Sequence, residues 1–205
     1  MKLIRLIISN FRGLKGSNVI DFTNSNIIFL IGQNNIGKSS FLRAYEFFID
    51  SRQVAKIDDF NNYDYSNPII IEGIFELDKE DSDDPDLKEK KEPNWIEKWV
   101  DQNNLVKVRK TWKKPDYTFD KETYSPHEAK WIENGFGGLH TKLTKYTPTP
   151  IAINAMEDQA SLEEKVNKLI QDDFIKKVRL EYPKEFKSII DGVKKLQERI
   201  TGSEA

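Results

Sequence analysis

Residues 27–31 (IIFLI) form an unbroken apolar run that stops at Gly32, and Gly37, Lys38 and Ser39 follow a short polar stretch later. A helical pattern starts directly behind them. Phe41, Tyr45 and Phe48 fall at i, i+4 and i+7, with Leu42 and Ile49 beside them. The order apolar strand, G-x-x-x-x-G-K-S, largely apolar helix is the setting of a phosphate-binding loop, the Walker A motif. Glycine at 32 and 37 permits backbone torsions and close approaches that a Cβ would block. Successive backbone N–H groups can then line an anion nest, and the helix adds its unpaired N–H groups and positive dipole end. On this reading Gly32, Gln33, Asn34, Asn35, Ile36, Gly37, Lys38, Ser39 and Ser40 bind the nucleotide. Lys38 reaches the β- and γ-phosphates and is the catalytic candidate, and the Ser39 hydroxyl ligates Mg²⁺. A glycine-bearing turn with a chance lysine is the competing reading, and the flanking strand and helix argue against it. A helix this apolar is expected to lie buried against a sheet.

With 205 residues the chain has room for one domain and part of another. Charged residues make up 32% and hydrophobic ones 38%, a balance that calls for exposed helices and polar loops. The net charge of −2 gives no global basic field, so any nucleic-acid surface must be local. The absence of cysteine excludes disulfides, thiol nucleophiles and cysteine-based zinc sites, and fits a reducing compartment. The start, MKLIRLIISN, is too short and too interrupted by Arg5 to read as a signal peptide. No run approaches the roughly 20 apolar residues of a membrane span, so a cytoplasmic protein without a membrane partner is expected.

Residues 3–8 read as a strand and 19–22 as a second, short one, with a glycine-punctuated turn at 10–16 between them. Residues 27–31 suit a strand covered on both faces. The sequence Asn10-Phe11-Arg12-Gly13, a short strand ending in Asp21-Phe22, and then Gly32-Gln-Asn-Asn-Ile-Gly-Lys-Ser-Ser40 together resemble the start of an ABC-type ATPase head of the SMC and RecF kind. The paired Asn34-Asn35 and the Ser-Ser-Phe-Leu after Asn-Asn-Ile-Gly-Lys most resemble the OLD (overcoming lysogenisation defect) family of ATP-dependent nucleases, whose relatives serve in phage defence. The match is specific over residues 1–50 and looser at 58–77 and 148–158. The resemblance implies an α/β P-loop NTPase lobe, with a mixed or antiparallel sheet around the phosphate-loop helix and helices entering an arm behind it. It also implies that Arg12 lies at the phosphates or ribose, that ATP and Mg²⁺ are the ligands, and that the complete protein acts on DNA in repair or defence. An exposed turn arginine is the plainer reading of Arg12.

Residues 51–67 read as a polar loop with one turn of helix, and 69–77 (IIIEGIFEL) as a strand. Ile69-Ile70-Ile71-Glu72 is a crude Walker B candidate, but one acid followed by Gly73, so soon after the phosphate loop, favours a half-buried sheet strand. The charge run 79–93 carries Asp81, Asp83, Asp84 and Asp86 without calcium-loop spacing and reads as a solvated insertion. Residues 94–102 form a short amphipathic helix capped by Asn94, with Trp95, Ile96, Trp99 and Val100 on its stripe. Residues 105–112 read as a strand with Lys107, Arg109 and Thr111 on one face. With Lys113 and Lys114 they make the one basic cluster that contains an aromatic, suited either to a DNA backbone or to the solvent face of a sheet. Residues 126–134 read as a short helix, and His127 and His140 as surface residues. Residues 151–153 can be a short strand behind Pro148 and Pro150. A capping box at Ser161–Glu164 opens a helix to about Tyr182, and apolar residues resume at near-heptad spacing after Pro183.

The expected organisation is an ATPase N-terminal lobe over 1–158, the start of a helical arm over 159–200, and a tail over 201–205. No apolar strand ending in Asp-Glu and no Leu-Ser-Gly-Gly follows residue 154. An ATPase of this class needs an Asp for the Mg²⁺ shell, a Glu to activate water and γ-phosphate donors in trans. The chain therefore reads as an N-terminal lobe, either a truncation or one completed by another polypeptide. Hydrolysis then awaits that half and a dimer of heads, and the lobe alone is inactive. A non-hydrolysing nucleotide-binding scaffold that needs a partner subunit is the alternative.

Overall fold

A computed structural model describes residues 1–25, 27–33, 37–78, 95–133, 147–150 and 159–201. The expectations for Asn34, Asn35 and Ile36, the charge run 79–93, the Asn94 cap, His140 and the strand at 151–153 fall outside these residues. The chain divides into two units, 1–150 and 151–205.

The first unit is built on a six-stranded antiparallel sheet in the order β2-β1-β3-β4-β5-β6. Strand β1 is Lys2–Phe11, β2 is Leu14–Asp21, β3 is Ile69–Glu76, β4 is Leu105–Trp112, β5 is Asp120–Ser125 and β6 is Lys130–Glu133. Strands β1 and β2 form a tight hairpin in which Phe11 faces Leu14 across the turn Arg12-Gly13. The second strand thus begins five residues earlier than 19–22, because the hairpin register, not the apolar content, sets where pairing starts. Helix α1, Lys38–Ile49, buries Ala44, Tyr45, Phe47 and Phe48 and leaves Leu42 exposed. Two 3₁₀ turns, Ile57–Asp59 and Asn61–Tyr63, and the short helix α2, Trp95–Trp99, complete this unit.

The core is aromatic. The Phe47 ring lies 5.0 Å from Phe11 and 5.6 Å from Trp112, and Trp112 lies 5.2 Å from Phe119. Phe48 stacks on Phe75 at 6.1 Å. The stack needs Gly73: a Cβ there would lie 2.6 Å from Phe75 Cε2 and 3.0 Å from Phe48 Cε1. Residues 71, 73 and 75 therefore face α1, and Glu72 falls on the opposite face of β3.

Two expectations for the first unit are overturned. Residues 126–134 were expected to be helical, whereas 126–129 form a turn with Ala129 at φ 49° and Lys130–Glu133 pairs with β5. A Trp-Ile pair in a four-residue strand is too short to show a two-residue period. Residues 27–31 were expected to form a covered strand, yet they join no strand among the described residues. Ile27, Phe29 and Ile31 are 68%, 82% and 92% exposed.

The second unit holds α3, Gln159–Glu181, and α4, Pro183–Thr201. Ser161 lies inside α3, so the expected capping box does not open the helix. Tyr182 N donates to Val178 O at 2.8 Å and Phe186 N to Tyr182 O at 2.9 Å, so helical bonding continues on both sides of Pro183. Proline is tolerated there because a first-turn position needs no N–H. Val166, Leu169, Ile170 and Phe174 on α3 and Ile189, Ile190 and Val193 on α4 remain exposed.

Candidate functional site

Gly37 is the N-cap of α1, at φ 98°, a left-handed conformation that disfavours a side chain. A Cβ on Gly37 would also lie 2.9 Å from Leu14 Cδ2 and 3.5 Å from the Gly13 carbonyl carbon. The hairpin turn after β1 is thereby packed directly on the start of α1. Gly37 offers no side-chain cap, and the first turn of the helix holds no acidic residue. The helix thus begins with its positive dipole end and no acid in the first turn, electrostatics that favour an anion.

Lys38 Nζ donates to Gly32 O at 2.7 Å and to Gln33 O at 2.5 Å. Its side chain spans the loop from the helix start back to its first residues, which brings Gly32, Gln33, Gly37 and Lys38 together. Ser39 is exposed, whereas Ser40 is buried and its N–H donates to Gly37 O at 2.9 Å. The Ser39 hydroxyl is a hard oxygen donor of the type Mg²⁺ accepts alongside phosphate oxygens.

Arg12 occupies the hairpin turn beside Gly13, at φ 51°. Its Nε donates to Asp59 Oδ1 at 2.9 Å, and a terminal nitrogen lies 2.8 Å from the same oxygen. The guanidinium carbon sits 5.2 Å from the Phe11 ring and 6.0 Å from the Phe47 ring of α1. Arg12 is therefore not a free turn arginine: it is pinned between the sheet, α1 and a buried carboxylate.

The AAA ATPase domain family matches residues 1–204. This chain belongs to that family. It is similar to the Old nuclease of Escherichia phage P2, at 26% identity over 166 residues that cover 77% of this chain and 26% of that protein. The chain thus spans about a quarter of the length of this curated relative. Among solved structures, one from a study of ATP-driven dimerization and DNA-stimulated activation of SMC ATPases superposes with a TM-score of 0.50 at 14% identity, covering 84% of this chain and 99% of that one. The fold is that of a P-loop NTPase lobe of the ABC/SMC kind, and the domain is related to OLD nucleases.

Other sequence candidates in this ATPase domain resolve differently. Glu72 lies mid-strand opposite Arg109, away from α1, so it is a sheet residue and not a Walker B acid. Burial raises its pKa, partly offset by Arg109 and Lys107. The basic cluster is largely internally matched. Arg109 forms a two-point pair with Glu122 at 2.6 and 2.9 Å and lies 4.2 Å over the Trp131 ring. Lys113 pairs with Asp120 at 2.7 Å, and Lys107 lies 5.0 Å over Tyr124. This is the solvent face of an antiparallel sheet. His127 bonds to the Glu97 carbonyl at 2.8 Å. No group of metal-ligand residues occurs among the described residues, and no described helix is long and apolar enough to cross a membrane.

The sequence reading missed two residues. Lys110 is buried. Its Nζ donates to Asp50 O, at the C-terminal end of α1, at 2.7 Å and lies 4.0 Å over Phe119. Asp59 is the other; neither a run nor a spacing marks a partner 47 positions from Arg12.

Proposed function

We propose that residues 32–40 bind Mg-ATP and that this domain is the nucleotide-binding N-terminal lobe of an ATPase coupled to DNA processing or cleavage. The observation that carries this reading is the uncapped, acid-free start of α1 with the Lys38 ammonium held over residues 32–33. An arriving polyphosphate replaces those carbonyls as the partner of Lys38 and meets the N-terminal end of α1. The Ser39 hydroxyl would hold Mg²⁺, which would neutralise charge on the phosphates. Arg12 flanks the loop on the hairpin side.

Turnover needs an acid for the metal shell, an acid for the water and donors in trans, and neither an apolar strand ending in Asp-Glu nor Leu-Ser-Gly-Gly follows residue 154. The exposed apolar run 27–31 supports the same division of labour, because a stretch of this kind ordinarily lies inside a sheet. We place the missing strands in a C-terminal half or a partner subunit, with ATP bridging two heads. The lobe extends over 1–158, with 159–200 opening a helical arm whose apolar stripe is exposed. The relation to OLD nucleases supports DNA as the target of the whole assembly, in repair or in defence against phage.

Phosphate release from the chain alone and with a C-terminal half supplied in trans tests the division. The expected result is no turnover alone and turnover on pairing. Binding of ATP without turnover under any pairing would instead fit a nucleotide-regulated scaffold.

A further inference from the structure

Four contacts fasten the 59–61 segment to the hairpin turn beside the phosphate loop. Arg12 N donates to Asp59 O at 2.8 Å, and Asn61 Nδ2 donates to Arg12 O at 2.6 Å. Arg12 Nε and a terminal nitrogen both rest on Asp59 Oδ1. Asp59 spends its other oxygen on the Lys56 backbone N–H at 2.9 Å, which fixes the carboxylate from behind. Asp59 is 5% exposed, whereas the Arg12 side chain is 39% exposed. A buried carboxylate fixed on one side and a half-open guanidinium on the other make an oriented pair. Bound through Nε and one terminal nitrogen, a planar guanidinium keeps N–H groups on its outer edge for a second anion. The left-handed backbone of Arg12 is disfavoured for a side-chain-bearing residue and persists because these contacts over-determine it. Its neighbour Gly13 packs on Gly37, the cap of α1.

We propose that Asp59 is the positioning residue for Arg12: it fixes the guanidinium at the hairpin turn that packs on Gly37 at the start of α1, so that the outer edge meets the phosphates of a nucleotide bound there. The inference rests on the nucleotide reading above. Asp59 does not touch the ligand; it removes the rotamer freedom that a long arginine would otherwise lose on binding. The 3₁₀ segment 57–63 is thereby tied to the same turn as the phosphate loop.

The test is a Mg-ATP titration of the full chain and its Arg12→Ala, Asp59→Asn and double variants, with Lys38→Ala alongside. Arg12→Ala and Asp59→Asn are each expected to weaken binding about tenfold, the scale of one charge-assisted hydrogen bond. The double variant is expected to bind no more weakly than Arg12→Ala alone, because Asp59 acts only through Arg12. Additive losses would make Asp59 merely structural and overturn the proposal, as would unchanged affinity in Asp59→Asn. If Asp59→Asn does not fold, the Arg12 Nε–H resonance of the unaltered chain decides. A shift on adding Mg-ATP with retained slow exchange supports the proposal, and loss of protection, or no shift while phosphate-loop amides move, overturns it. Failure of the unaltered chain to bind Mg-ATP at all would remove the nucleotide reading itself and this inference with it. Normal binding that only Lys38→Ala abolishes would remove this inference alone.

Discussion

Gly37 meets two demands at once, a φ of 98° and a van der Waals gap to Leu14 that a methyl group would close to 2.9 Å. Gly37→Ala is expected to cost about 1–2 kcal/mol from the left-handed torsion alone, with a matching drop in the urea midpoint. Lys110 makes a different prediction. Burial lowers its pKa to about 7, well below its ordinary value, against a smaller opposing effect from Asp50. The folded state therefore sheds this proton near neutrality, while the unfolded chain keeps it until the ordinary lysine range. Between those limits the unfolded state binds more protons, so stability rises with pH. The urea midpoint is expected to climb between about pH 7 and pH 10.5, a window bounded by the folded and ordinary lysine values. Lys110→Met is expected to flatten that climb, and an equal climb in the variant would assign it to other groups.

Among the elements, α1 and β3 are fitted to one another at Gly73. Gly73→Ala pushes a methyl into the stacked Phe48 and Phe75 rings and is expected to destabilise by about 1–3 kcal/mol, the usual range for overpacking. Thermal denaturation monitored by near-UV circular dichroism reads both the loss and the disturbed ring environment. The sequence foretold α1 well, because Phe41, Tyr45 and Phe48 repeat at helical spacing through an uninterrupted stretch. It foretold β1, β3 and β4 for the same reason of length. It failed at 126–134, where a turn and four strand residues leave no period to read. It failed differently at 27–31, whose composition is that of a buried strand but which joins no strand among the described residues and stays exposed. The site divides the same way. Gly37 and Lys38 announce themselves by spacing, whereas the Arg12–Asp59 pair and the Lys110–Asp50 tie exist only once distant strands and turns are folded together.

The first unit is a folded antiparallel-sheet lobe whose apolar residues 27–31 are exposed. Phe29→Asp is expected to change the stability of this chain by no more than about 0.5 kcal/mol, the usual effect of an exposed substitution. The same change is expected to abolish turnover with a C-terminal half supplied in trans. Phe11→Ala, at a fully buried position, is expected to cost about 3–5 kcal/mol. Chemical denaturation of both variants checks the contrast, and equal losses would mean that residues 27–31 are buried in this chain after all. The central claim concerns the start of α1, and calorimetric titration with Mg-ATP addresses it directly. The account predicts saturable binding by the chain as it stands and loss of that binding in Lys38→Ala with the fold intact. Equal affinity in the two proteins, or no heat from either, would contradict it.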